Sequence, residues 1–333
     1  MVVKHRGKLP PDFLFRSIVG KLPIEGDGVL LGPSLGEDAA ILEVKEPLLA
    51  VHSDPVTGGG KLAGWLSVYV ASNDIATRGL RPKWLLIVLL FRDGVNDSEI
   101  SELVDQVGEA AREIGAVVIG GHTEITPGLP FNIVVTTAMG TGGIVLNTRD
   151  AKEGDSLVLT KAAALEGTAI LATELRDLLE EKGVDSHILD RASRFIREIS
   201  VVRDAMLAAN FARAMHDPTE GGLIGGVQEM ALASGNGFVI YEESIPLREE
   251  TLAVCEALEV DPLRLISSGS LLISVSEEKA DKLVSELRRG GVEASIIGRL
   301  TEREEGMRLV RTNGMVEDVS EPVMDELWRV LPS

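Results

Sequence analysis

Between Asn96 and Gly115 the sequence leaves the backbone one choice. Ile100, Leu103, Val104, Val107, Ala110, Ala111 and Ile114 fall at i, i+3, i+4, i+7, i+10, i+11 and i+14. That spacing draws one apolar stripe down an α-helix, and Asn96-Asp97-Ser98 supplies its cap. The apolar run Lys83–Phe91 precedes it and reads as a buried strand. Ala116–Gly120 follows it and reads as another. The stripe must therefore cover a sheet.

The rest of the first half extends this sheet. Residues 1–35 read as an irregular arm with one short helix near Pro11–Val19. Ala39–Val44 and Leu48–Ser53, split by Glu46-Pro47, read as a hairpin-like pair of strands. Gly58-Gly59-Gly60 opens a helix from Lys61 to about Thr77, and Phe131–Gly140 is a further strand. The order ββαβαββ predicts an α/β or α+β sheet with helices over one face. A boundary falls near Asn147–Gly154.

Past that boundary the pattern predicts strands at 156–160, 237–242, 270–276, 292–300 and 307–312. Helices are expected at 167–182, 186–199, 201–214, 221–233, 248–258, 277–289 and 321–330. The domains expected are an arm at 1–35, a first domain at 36–148 and a second at 149–333.

Composition narrows the partners. Lys and Arg number 33 against 52 Asp and Glu, a formal charge of −19. Such a chain repels nucleic acid and anionic membranes, so a polyanionic ligand would need a metal ion or backbone N–H groups to hold it. Seven Phe, three Trp and two Tyr are few for stacking bases. Cys255 is alone, so no intrachain disulfide or cysteine-rich zinc cluster forms. The apolar run Trp84–Phe91 is far shorter than the ~20 residues of a membrane helix. No signal-peptide pattern opens the sequence, and the expected location is cytoplasmic.

Four acids stand at the ends of apolar runs or in glycine-rich turns: Asp38 in Gly36–Ala40, Asp54 in Val51–Pro55, Asp74 in Ser72–Ala76 and Asp217 in Met215–Thr219. Each alone has a bland reading. Asp38 could shape a turn, and Asp54 could end a strand before Pro55. Asp74 could face solvent mid-helix, and Asp217 could cap a helix. Together, carboxylates beside apolar strands call for a cation. Oxygen donors suit Mg²⁺, which bridges carboxylates to phosphates. Gly58-Gly59-Gly60 before a helix offers N–H groups to a phosphate, and Lys61 could reach one. Gly120-Gly121-His122-Thr123-Glu124 follows a strand directly, and its glycine pair either lets backbone approach a ligand closely or forms a bland strand-end turn. His52, His122 and His216 are too dispersed for a zinc-type spacing, and Cys255, in an apolar helix stripe, reads as a core thiol.

The order of these pieces resembles the aminoimidazole ribonucleotide synthetase superfamily across almost the whole chain. The pieces are Gly36–Ala40, Ser53-Asp54, Gly60–Ala63, Asn73–Ala76, the strand with Gly120–Thr123, and Asp217–Leu223. The second half is most similar to the hydrogenase maturation (HypE) family, through Ser244-Ile245-Pro246 and Cys255–Leu258 leading to Asp261-Pro262-Leu263.

The resemblance implies two α+β domains, the first closing a β-barrel across a homodimer, the second α/β. It implies ATP with Mg²⁺, with Asp38, Asp54, Asp74 and Asp217 as metal acids. Lys61, Asn73 and Thr123 match nucleotide positions; no catalytic residue is assigned. The chemistry implied is activation of an acceptor oxygen by phosphoryl transfer, linked to hydrogenase or other metallocentre maturation. The alternatives are a kinase of the thiamine-monophosphate type and a non-catalytic nucleotide-binding partner of a maturation protein. His122 stands where the HypE family has an acid, as in selenophosphate synthetase, and Ser268 stands where HypE has an acid before Gly269. HypE proteins carry a carbamoyl group on a C-terminal cysteine, whereas this sequence closes on Leu331-Pro332-Ser333. The expectation is a chain that does not carry its own substrate.

Overall fold

The computed structural model describes residues 7–8, 11–34, 39–57, 60–143 and 145–331. It divides into two compact units, Met1–Ile75 with Leu80–Ile144, and Ala76–Gly79 with Val145–Ser333.

The first half of the chain runs β1 (Gly7–Lys8), α1 (Pro11–Ser17), β2 (Val29–Leu31), β3 (Ile41–Leu42), β4 (Leu48–Val56), α2 (Ala63–Thr77), β5 (Pro82–Phe91), α3 (Asp97–Ile114), β6 (Val117–Ile125) and β7 (Ile133–Gly142). The main sheet of the first unit has the order β1-β6-β5-β7-β4. Strands β5 and β6 are parallel, which requires a crossover, and α3 is that crossover. Its predicted stripe is buried from Ile100 to Ile114. The Asn96 side chain accepts from the Ser98 and Glu99 N–H groups at 2.9 and 3.0 Å. Gly115, in the left-handed conformation, ends the helix.

Helix α2 lies on the sheet face that carries Gly140 of β7, where an added Cβ would stand 2.5 Å from Ile75 Cγ2. On the opposite face Trp84, Val117 and Ile119 pack with Val29, Ala40, Leu42, Leu86 and Met139. The β2–β3 hairpin thus covers part of that face, held by the Trp84 indole N–H donating to the Asp27 carbonyl at 3.2 Å.

This pairing corrects two expectations. Ile41–Leu42 pairs with Val29–Leu31, inside the stretch read as an irregular arm. Leu48–Val56 pairs instead with β7 along its whole length, from Leu48↔Gly142 to Val56↔Val134. Nine consecutive pairs outweigh anything a six-residue neighbour could offer. A third difference is that the strand expected at Ala116–Gly120 runs on to Ile125, so Gly121-His122-Thr123-Glu124 lie within β6 rather than in a strand-end turn. Gly121 has φ +151°, and an added Cβ would stand 1.8 Å from the Ile87 carbonyl oxygen. Only glycine lets the two strands approach there.

The second half runs β8 (Asp155–Thr160), α4 (Leu165–Glu174), α5 (Arg176–Glu181), α6 (Ser186–Ser193), α7 (Val202–Ala208), β9 (Ala214–His216), α8 (Gly222–Ser234), β10 (Gly237–Tyr241), α9 (Glu249–Leu258), β11 (Leu272–Ser276), α10 (Glu277–Arg289), β12 (Ala294–Thr301), β13 (Met307–Val310), β14 (Val316–Asp318) and α11 (Leu327–Val330). Its sheet has the order β14-β13-β10-β12-β8-β11-β9. Leu157, Leu159, Ile224, Phe238, Leu272 and Leu309 are among its fully buried core. The helix expected at 201–214 stops at Ala208, and Ala214–His216 joins the sheet edge beside β11. The expected terminal helix is helical only over Leu327–Val330.

One charged contact pins the first sheet. Glu46 accepts from Lys83 Nζ at 2.8 Å and from Thr141 Oγ1 at 2.9 Å. The Lys83 contact first, then the Thr141 hydroxyl, hold the Glu46 carboxyl at about 2 against a usual 4.5. A depressed carboxylate adds stability that is complete above its unfolded pKa and is lost as pH falls through the folded one. The loss therefore falls between pH 4.5 and about 2. Thermal melts should show Glu46→Gln less stable than wild type at pH 7 and the two curves converging near pH 2. A gap that persists unchanged at pH 2 would exclude a charge contribution from Glu46.

Candidate functional site

Period-two alternation along β4 sorts its side chains. Ala50, His52, Asp54 and Val56 share the α2 side. Leu49, Val51, Ser53 and Pro55 take the other, where Leu49 and Val51 are 51% and 56% exposed. Strand β4 is the edge of its sheet, where proline is tolerated.

Helix α2 brings its own residues to that face. From Ala63 to Asn73 every residue is buried, and Asp74 is the first that is not. His52 Nε2 stands 3.2 Å from Asp74 Oδ2. Asp54, two residues along from His52, is half-buried. Burial pushes its carboxyl pKa up, with His52 opposing the shift. Across the ladder from Asp54 is Thr136, whose buried hydroxyl makes no hydrogen bond.

The helix start is tightly built. Gln106 Nε2 donates to the Lys61 carbonyl at 2.8 Å, and Gln106 Oε1 accepts from the Gly64 N–H at 3.2 Å. Lys61 itself is exposed. Gly58 and Gly59 of the glycine run lie outside the described residues, as does Asp38. Asn73 is fully buried in α2.

Thr123 of β6 is buried on the sheet side that carries Leu89, its ladder partner. His122 points to the opposite face, 3.0 Å from Glu124 Oε2. Thr126 and then His122 hold the Glu124 carboxyl below its usual range.

Asp217 belongs to the second unit. It is 2% exposed and follows β9 directly. It does not cap α8. That place is taken by Gly221, in the left-handed conformation, whose N–H donates to Asp325 Oδ2 at 2.7 Å. Arg78 Nη2 fixes the approach to Asp217 by donating to the Met215 carbonyl at 3.2 Å and to Thr148 Oγ1 at 3.0 Å. His216 Nε2 meets Glu229 Oε2 at 2.6 Å.

Of the predicted residues, then, Asp54 and Asp74 stand on one face of one unit with His52 beside both. Among the described residues no group of three or more His, Cys, Asp or Glu could hold a metal ion. His52, read in the sequence as too far from other histidines for a zinc-type spacing, contacts Asp74.

The N-terminal domain of AIR synthase related proteins matches residues 36–142, and their C-terminal domain matches residues 152–310. The chain is 31% identical over 277 residues to the hydrogenase expression/formation protein HupE of Azotobacter chroococcum, spanning 79% of this chain and 78% of that one. The chain belongs to the AIR synthase related family, in its hydrogenase expression/formation (HypE) branch. It is 32% identical over 249 residues to the carbamoyl dehydratase HypE of Azotobacter vinelandii, spanning 72% of this chain and 70% of that one. A crystal structure of hydrogenase maturation protein HypE in complex with ATP shares the fold, with TM-score 0.75 and 22% identity over 96% of each chain. No helix among the described residues is long and apolar enough to cross a membrane.

In this HypE-branch chain the one cysteine, Cys255, is 2% exposed in α9. Burial, then Asp261 and Glu326, push its thiol up to about 12. Thiolate is the nucleophile, so at pH 8 about one molecule in ten thousand presents it. A disulfide reagent at pH 8 should leave the native chain unmodified over an hour and titrate one thiol after unfolding in guanidinium. Rapid native labelling would show Cys255 to be accessible.

Proposed function

We propose that this chain binds ATP with a divalent ion and activates an acceptor oxygen by phosphoryl transfer, within hydrogenase or related metallocentre maturation. The observation that carries the reading is Asp54 and Asp74 on one sheet–helix face. The partial burial of Asp54 raises its carboxyl pKa, a cost that a bound cation would offset. Repulsion by a chain of charge −19 makes direct binding of a triphosphate unfavourable.

Asp54 and Asp74 would hold the ion in the first unit; Asp38 and Asp217 match metal-binding acids of the family by resemblance. When bound, the ion supplies charge neutralisation on the phosphates and on the leaving oxygen. Lys61, exposed just before α2, would meet a phosphate from solvent. Asn73 and Thr123, both buried, would read the nucleotide through a carboxamide and a hydroxyl. The acceptor comes from outside this chain's own thiols, because Cys255 is buried and protonated. The carbamoyl dehydratase relatives make an amide-type oxygen the reading's first acceptor class. The HypE branch also suggests a protein partner in maturation.

Calorimetry tests the core of this. ATP affinity should fall at least tenfold on chelating divalent ions, and equally in Asp54→Asn. Undiminished binding in chelator would overturn it. Steady release of ADP on adding an amide-type acceptor would mark an enzyme, whereas tight binding without turnover would mark a nucleotide-binding maturation partner.

The same reading includes a homodimer. The exposed apolar side of β4, with Leu49 and Val51, continues the face that the β2–β3 hairpin covers only in part. A two-fold pairing would bury that patch on both copies. Light scattering at micromolar concentration should return about twice 35.6 kDa. A mass near 36 kDa would refute the dimer.

A further inference from the structure

The helix that follows Asp217 is closed at its start by a residue from near the other end of the second unit. We propose that Asp325 is a latch that makes the C-terminal strap, residues 319–331, and the loop carrying Asp217 open and close as one unit, so that Asp217 keeps its place only while the strap is docked. The coupling does not depend on which ligand Asp217 meets.

Helix α8 has a glycine at its cap position, so no side chain there can close it. Gly221 and Gly222 both have positive φ, +83° and +65°. Successive glycines lose much backbone freedom on ordering, and something outside the loop has to hold them. Gly222 lies against the segment 263–265, where an added Cβ would stand 2.7 Å from the Leu263 and Leu265 carbonyl oxygens. Gly221 is held by the Asp325 carboxylate, whose Oδ2 accepts its N–H at 2.7 Å. An anion at a helix N-terminus gains from the helix dipole as well as from the hydrogen bond.

Asp325 is 4% exposed. Its Oδ1 accepts the Leu327 N–H at 2.8 Å, and the Ile266 N–H also bonds the carboxyl. One side chain thus joins the start of α8, the segment 263–266 and the strap. Burial pushes its pKa up and Glu220 adds to the shift, against the three N–H groups. The charged side chains nearby are turned to other partners. Arg264 Nη2 meets Glu317 Oε1 at 2.6 Å, Arg264 Nε stands 3.5 Å from Asp261 Oδ2, and Glu326 pairs with Arg329 at 2.5 Å. A buried carboxylate that loses its N–H donors is costly, so it stays in place only while the three segments stay together.

The loop between β9 and α8 is therefore fixed at both ends. Before it, Arg78 Nη2 donates to the Met215 carbonyl at 3.2 Å. After it, Asp325 holds Gly221. Asp217, 2% exposed, lies between them. The strap's other attachments lie along its inner side. Gln228 Nε2 donates to the Glu321 carbonyl at 2.8 Å, the Glu326 N–H donates to the Arg264 carbonyl at 3.2 Å, and Val319 and Val323 pack on the core. Met324 and Trp328, 83% and 51% exposed, take the outer side. A segment bound along one side opens more readily than the sheet it lies on.

Hydrogen–deuterium exchange on the full chain, read by mass spectrometry, tests this. In wild type at low guanidinium, peptides covering 217–224 and 319–331 should share one opening free energy and one denaturant slope, both below those of the sheet core. Asp325→Asn replaces one acceptor oxygen by an amide N–H that faces a donor, and both peptides should then exchange about tenfold faster. Leu283→Ala, which empties a fully buried position of α10, is the control at matched melting temperature and should speed neither peptide selectively.

Different slopes for the two segments in wild type would overturn the coupling, even if Asp325→Asn failed to fold. So would a strap loosened by Asp325→Asn while 217–224 keeps its wild-type protection, because Asp325 would then anchor the strap alone. Equal acceleration of both segments in Leu283→Ala would reduce the effect to general stability and overturn it as well.

Discussion

Eleven consecutive residues of α2, from Ala63 to Asn73, have no solvent-facing side. A helix buried all round can only be stable packed on every side, and in the first unit one of those sides is the sheet. Ile75 seats it against Gly140, where any larger residue would hold the two apart. That seating decides the rest. Asp74 emerges at the first point where α2 is not enclosed, and it emerges opposite the α2-facing residues of β4. The polar site is thus a consequence of apolar packing.

Local signals sufficed where an element's reason to exist lies inside it. Helix α3 carries its stripe and its Asn96 cap within its own residues, and the structure follows both. Strand β4 is legible as a strand but not as to partner. Its ladder runs to β7, and the Ser53–Thr137 hydroxyl contact joins residues 84 apart in sequence. Ala214–His216 is too short to show any period and exists because a sheet edge was available beside β11, and Ile41–Leu42 pairs only with Val29–Leu31 in a separate two-stranded sheet. Gly120-Gly121 misled for a different reason. Glycine marks both turns and close strand contacts, and only the Ile87 carbonyl beside Gly121 says which applies.

The candidate site was legible in the same uneven way. Asp54 and Asp74 stood out as acids among apolar neighbours, and the fold sets both on one sheet–helix face. His52 lies far from the other histidines in sequence, and it meets the Asp74 carboxylate only through the packing of α2 against β4. His122 and Thr123 are adjacent in sequence, but strand alternation sends them to opposite faces. Any role shared by the two would need different ligands on the two sides of the sheet.

Charge ties these points together. A triphosphate approaching this chain meets repulsion from 52 acids against 33 bases, screened beyond about 8 Å at physiological salt. Inside that distance the outcome depends on which donors surround the ion. In the proposed function Asp54 and Asp74 supply negative charge to a cation, and the cation rather than the acidic protein meets the phosphates. The partial burial of Asp54 works in the same direction, since a carboxylate short of water gains more from a cation than a fully solvated one does.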